Sequence, residues 1–117
     1  MDKKKILIID DEKDTLMIMK VRLTTMGYSV TMAQSGQAGL AIAKSQKPDL
    51  IILDVLMPDM NGSEVEHRLK DDPETENIPV IFSTCLAQCD GDNDKNTLHI
   101  TKPYEVDELM KKIEELI

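Results

Sequence analysis

Three short stretches constrain the fold of this chain most: Ile6-Leu7-Ile8-Ile9, Leu50-Ile51-Ile52-Leu53 and Val80-Ile81-Phe82. Each is apolar without interruption. A strand with one wet face alternates apolar with polar residues, because successive side chains point to opposite faces; a strand covered on both faces need not. The runs therefore predict strands inside a parallel sheet. The segments between them carry helical spacing. Leu16, Met19, Leu23 and Met26 form one stripe, stopped by Gly27. Ala38 to Ala43 forms a second helix that ends before Lys47-Pro48, and Val65 with Leu69 marks a third after Asn61-Gly62. In the last, Val106, Leu109, Met110, Ile113 and Leu116 share a face, with acids and lysines opposite. Ser29 to Ala33 alternates around Val30 and Met32, as an edge strand would. This alternation of strand and helix predicts a doubly wound α/β sandwich.

One crossover is weak. Residues 85 to 97, CLAQCDGDNDKNT, offer little apolar surface beyond Leu86 and Ala87, and Gly91 with its Asp/Asn neighbours favours turns. The fourth helix is therefore expected to be short or disordered.

The chain's 117 residues are sized as one domain, residues 1–117. A chain of that length buries roughly two-thirds of its unfolded surface, so it can build a core without staples. Hydrophobic residues make up 41% but aromatics only 3%, so that core must be aliphatic and methionine-rich, and the Met-rich first helix reads as core packing. A net charge of −8 argues against an electrostatic hold on nucleic acid or an anionic membrane. Cys85 and Cys89 read as reduced thiols, and the charged Asp2-Lys3-Lys4-Lys5 start precedes a run too short for a signal or a membrane span, so a cytoplasmic protein is expected.

Open α/β sheets bind ligands outside the carboxyl ends of their strands. Those ends carry Asp10 and Asp11 after the first strand, Asp54 after the third, Ser83 and Thr84 after the fourth and Lys102 after the fifth. Carboxylates gathered this way need compensation: at about 4 Å two unit charges repel by roughly 4 kcal/mol at an effective dielectric of about 20. Lys102 offsets part of this, and a divalent cation offsets more. All-oxygen ligands select Mg2+ or Mn2+ over zinc. A carboxylate beside such a metal is a nucleophile suited to phosphorus.

With these residues in place, the chain resembles the receiver domain of two-component response regulators, of the chemotaxis-regulator-like kind. The resemblance runs from Lys4 to about Ile113 and rests on IIDDE, on PDLIILDVLMPDMNG, on Thr84 closing the fourth strand and on TKPY. It implies a flavodoxin-like three-layer sandwich with a five-stranded parallel sheet of order 2-1-3-4-5. It implies that Asp54 is the phosphoacceptor, that Asp11, Asp54 and the backbone carbonyl of Leu56 ligate Mg2+ directly, and that Asp10 orients the metal through water. Thr84 matches the hydroxyl that senses the phosphoryl group, Lys102 the ammonium that pairs with Asp54 and then with phosphate, and Pro103 follows the cis peptide after Lys102.

The implied activity is Mg-dependent phosphoryl transfer from a histidine kinase or phosphotransfer protein to Asp54, passed on to a downstream protein target or a fused effector domain. Such a domain is no enzyme beyond its own phosphorylation and dephosphorylation. It is expected to bind neither nucleic acid nor membrane, and to be a monomer or a weak phosphorylation-dependent dimer. Leu56 and Leu86 occupy positions that tune dephosphorylation in the family; both are apolar, so slow self-hydrolysis is expected. Two positions depart from the pattern: His99 stands where the family's switch carries an aromatic residue, and Cys85 where a small residue follows the hydroxyl.

Other readings have less behind them. DGDND at 90 to 94 starts like a calcium loop, but Lys95 and Thr101 stand where that loop needs Gly and Glu. Cys85, Cys89 and His99 lack a fourth zinc ligand. An aspartyl-phosphate phosphatase would need an acid at Leu56. A phosphorylation-independent docking module that keeps the fold is the principal alternative.

Overall fold

β1, Lys5–Ile9, divides its apolar side chains between two cores: Ile6 and Ile8 point one way, Leu7 and Ile9 the other, and all four are buried. That division is why the run shows no alternation. The computed structural model describes residues 3–54, 61–84, 97–101 and 106–116, and for 84, 97–101, 106 and 107 the backbone only. In chain order β1 is followed by α1 (Lys13–Thr25), β2 (Ser29–Ala33), α2 (Gly36–Gln46), β3 (Leu50–Asp54), α3 (Gly62–Lys70), β4 (Val80–Thr84), β5 (Thr97–Thr101) and α4 (Val106–Leu116). All strand pairs are parallel, in the order β2-β1-β3-β4-β5. This is the flavodoxin-like order expected. The expected short fourth helix within 85–97 falls outside the described residues, apart from Thr97, which opens β5.

The helices cover both faces. α1 and α4 send Leu16, Met19, Leu23, Leu109, Met110 and Ile113 against Ile6, Ile8, Leu50, Ile52 and Ile81. α2 and α3 send Ala43, Val65 and Leu69 against Leu7, Ile9, Ile51, Leu53, Val80 and Phe82. β2 lies at the edge as expected, with Val30 and Met32 packed against the α1 and α4 core, although Thr31 between them is half-buried too.

Local chemistry fixes the helix ends. The Ser35 hydroxyl accepts from the Ala38 amide at 3.1 Å to open α2, and Asn61 Oδ1 accepts from the Glu64 amide at 2.8 Å to open α3. Thr75, buried beyond the end of α3, donates its hydroxyl to the Leu69 carbonyl at 2.6 Å, satisfying one of the carbonyls a helix end leaves open. Gly39 lets α2 lie close on β1: a Cβ there would stand 2.7 Å from Ile9 Cγ1, and Ile9 is itself fully buried.

Two expectations for α1 need correction. Met26 is the C-cap residue and 55% exposed, so the buried stripe ends at Leu23. The helix is not solely core packing either, because Met17, Ile18 and Val21 are more than half exposed on the side away from the sheet. Counting apolar residues at i and i+4 finds the buried stripe but does not test the opposite face.

Candidate functional site

The carboxyl ends of β1 and β3 lie side by side, since Ile9 is in register with Leu53. One residue further along, Asp10 and Asp54 occupy the same level of the two chains. The side-chain oxygens of Asp10, Asp11 and Asp54 all come within 4.8 Å of one another. Asp10 is 3% and Asp54 7% exposed, while Asp11 faces solvent. At 4.8 Å two buried charges such as Asp10 and Asp54 repel by about 3.5 kcal/mol at an effective dielectric of about 20.

None of these acids caps a helix. The N-cap position of α1 belongs to Glu12, whose side chain makes no capping bond. Asp10 Oδ1 instead accepts from the Glu12 backbone amide at 2.9 Å, and the Asp10 amide donates to the Ala33 carbonyl at 3.0 Å, extending the pairing of β1 with β2. The loop that turns Asp11 toward Asp54 is thus held from both sides.

The donor set suits a hard divalent cation. An octahedral ion with oxygens at about 2.1 Å keeps its ligands about 3 to 4.2 Å apart, within the span these carboxylates cover. Zinc, which prefers nitrogen and sulfur in tetrahedral sites, fits poorly.

The fourth strand reaches the same rim. Ser83 pairs in register with Asp54, and the Thr84 backbone follows directly, opposite Thr101. His99 lies in β5 with its backbone opposite Phe82. Lys102, Pro103, Leu56 and Leu86 lie outside the described residues. Asp10, Asp11 and Asp54 are therefore brought together as the strand-end reading expects, and the Thr84 backbone reaches the same edge. What that reading did not isolate is Ser83: its side chain is 2% exposed and its Oγ finds no hydrogen-bond partner among the described residues.

Known proteins resemble this chain in sequence and fold. The model of the response regulator receiver domain family matches residues 6–114. The response regulator PleD of Caulobacter vibrioides is 42% identical over 91 residues, covering 78% of this chain but only 19% of that protein; the chain spans about half, at 48%, of the dual master transcriptional regulator RpaA of Synechocystis, 35% identical to it. The chemotaxis protein CheY4 of Vibrio cholerae superposes with a TM-score of 0.92 at 26% identity, covering 99% of this chain and 100% of the other. The response regulator TrrA of Thermotoga maritima, crystallised in complex with Mg2+ and beryllofluoride, superposes at 0.85 with 28% identity and coverages of 97% and 99%.

Proposed function

This chain belongs to the response regulator receiver domain family, and from that premise we propose that residues 1–117 act as one phosphoacceptor domain in which Asp54 takes a phosphoryl group with the help of Mg2+. The observation that carries the reading is the convergence of Asp10, Asp11 and Asp54 within 4.8 Å at the carboxyl end of the sheet.

An Asp54 carboxylate oxygen attacks the phosphorus of a phosphohistidine on a histidine kinase or phosphotransfer protein. The new O–P bond forms as the P–N bond breaks, and the imidazole leaves with that electron pair. Asp11, Asp54 and the Leu56 carbonyl would hold the cation directly, and Asp10 would orient it through water. A divalent cation held there would supply neutralisation of the charge that develops on the phosphoryl oxygens. The Lys102 ammonium approaches the same oxygens, and the Thr84 hydroxyl donates to one of them. Leu56 and Leu86, at the positions that tune dephosphorylation in the family, are apolar and cannot orient an attacking water, so the phosphoryl group is lost slowly. The reaction ends there: the domain turns over no other substrate.

Among the described residues no helix is long and apolar enough to cross a membrane. A cytoplasmic signalling role, with a downstream protein or a fused effector as target, agrees with relatives named as transcriptional regulators.

Incubation with Mg2+ and acetyl phosphate, followed by intact mass, tests the proposal. The wild-type chain gains one phosphoryl mass, and neither Asp54→Asn nor wild type in excess EDTA does. A second reading, a docking module that needs no phosphorylation, draws on the exposed apolar face of α1 (Met17, Ile18, Val21). It predicts no mass gain in any of the three samples, and that outcome would replace the first reading.

A further inference from the structure

Ser83 is a buried hydroxyl for which the mechanism above has no use. Its neighbours are set by register. Ile52 pairs with Ile81, and both pack into the core under α1 and α4. Leu53 pairs with Phe82, and both pack into the opposite core under α2 and α3. The next pair is Asp54 with Ser83, so by the alternation of a strand both side chains return to the α1 and α4 side, next to each other on adjacent strands. Ser83 is 98% buried and its Oγ has no hydrogen-bond partner among the described residues. A hydroxyl taken from water without a partner is costly, and native interiors rarely leave one so.

Strand order indicates what would take that hydrogen bond. β3 lies between β1 and β4. A cation held by Asp10, Asp11 and Asp54 sits toward β1, whereas Ser83 stands across Asp54 from it. The group within its reach is the side chain of Asp54 together with whatever that side chain carries.

Resting on the phosphoacceptor reading, we propose that Ser83 is a positioning residue whose Oγ–H donates to an oxygen of the phosphorylated Asp54 side chain, on the flank opposite the cation. The hydroxyl is then satisfied only in the loaded state. A conventional buried serine is bonded in the resting protein and stabilises it; this one stabilises the charged adduct. A hydrogen bond to a charged acceptor corresponds to roughly 10- to 100-fold in affinity.

Beryllofluoride with Mg2+ serves as the probe, because it presents a tetrahedral anion on a carboxylate oxygen. Calorimetric affinity and the melting temperature of the ligand-free protein are read for wild type, Ser83→Ala, Ser83→Cys and Asp54→Asn. In Ser83→Ala the ligand-free protein melts at or above the wild-type temperature while probe affinity falls 10- to 100-fold. Ser83→Cys, with the same shape and a weaker donor, falls between the two. A Ser83→Ala protein that binds the probe as wild type does overturns the inference, and so does one whose ligand-free form melts lower, since the hydroxyl would then have had a resting partner. Binding lost in Asp54→Asn but kept in Ser83→Ala overturns this inference alone. No binding by wild type overturns the phosphoacceptor reading as well.

Discussion

At the carboxyl end of the sheet, Asp10, Asp11 and Asp54 hold their oxygens within 4.8 Å, two of them almost out of water. At the amino end of the same strands, Lys3, Lys5, Lys47 and Asp49 line an open cleft with Ser29. Both ends are charged, and in a chain of net charge −8 the lysine cluster is the rarer of the two. Yet the amino end is at rest. Its lysines are exposed, and Asp49 Oδ2 accepts from the Lys5 amide at 2.7 Å. The carboxyl end combines clustered acids, burial and a Ser83 hydroxyl with no partner among the described residues. Charge alone does not mark a site; like charges gathered in a buried cluster do.

Substitutions at the two ends sharpen that contrast. Asp10→Asn has the largest expected effect. It keeps the Oδ1 that accepts from the Glu12 amide but removes a buried charge beside Asp54. The metal-free variant gains about 1–3 kcal/mol in denaturant unfolding while its Mg2+ affinity drops at least about tenfold. A variant that is less stable and still binds Mg2+ would show that the acids are structural.

At the amino end, Lys47 adopts φ 47°, a left-handed conformation that costs a residue with a Cβ roughly 1 kcal/mol or more. Lys47→Gly therefore raises stability by about 0.5–1 kcal/mol, read from the same unfolding curves, and leaves Mg2+ affinity unchanged. A change in Mg2+ binding would couple the two ends and break the comparison.

The smallest effect belongs to Asp72, beyond the C-terminus of α3. Its carboxyl is held below the ordinary value first by the Glu74 amide, with the Lys44 ammonium at 3.4 Å adding to this and desolvation opposing it. A group depressed in the folded state contributes stability above its unfolded pKa and loses it as pH falls through the folded value. Asp72→Asn should thus be slightly less stable than wild type near neutral pH. The difference should close as pH falls through the lowered folded-state value, once the carboxyl is protonated in both folded and unfolded chains. Melting curves across that range check it.

How far the sequence reading carried follows from the same contrast. Uninterrupted apolar runs announce strands covered on both faces, because only a double cover removes the alternation, and Ile6 to Ile9 sit accordingly. A carboxylate directly after such a run, as at Asp10, Asp11 and Asp54, announces the rim. Two features needed coordinates. The exposed face of α1 escaped because periodicity locates one apolar stripe and is silent about a second, here Met17, Ile18 and Val21. Ser83 escaped because an orphaned hydroxyl is a property of register and packing; next to Thr84 in the sequence it reads as one more polar strand end. Thr84 and Lys102 are legible as strand ends, whereas the roles of Leu56, Pro103 and His99 belong to the reading taken from the family resemblance.

The most direct test is a Mg2+ titration followed by backbone amide NMR on the whole chain. Saturable shifts centred on residues 10–12, 54 and 83, with Lys5, Lys47 and Asp49 unmoved, are the predicted result. Shifts that never saturate, or that centre on the amino-end cleft, would contradict the claim that these buried carboxylates form the metal-binding rim of a phosphoacceptor.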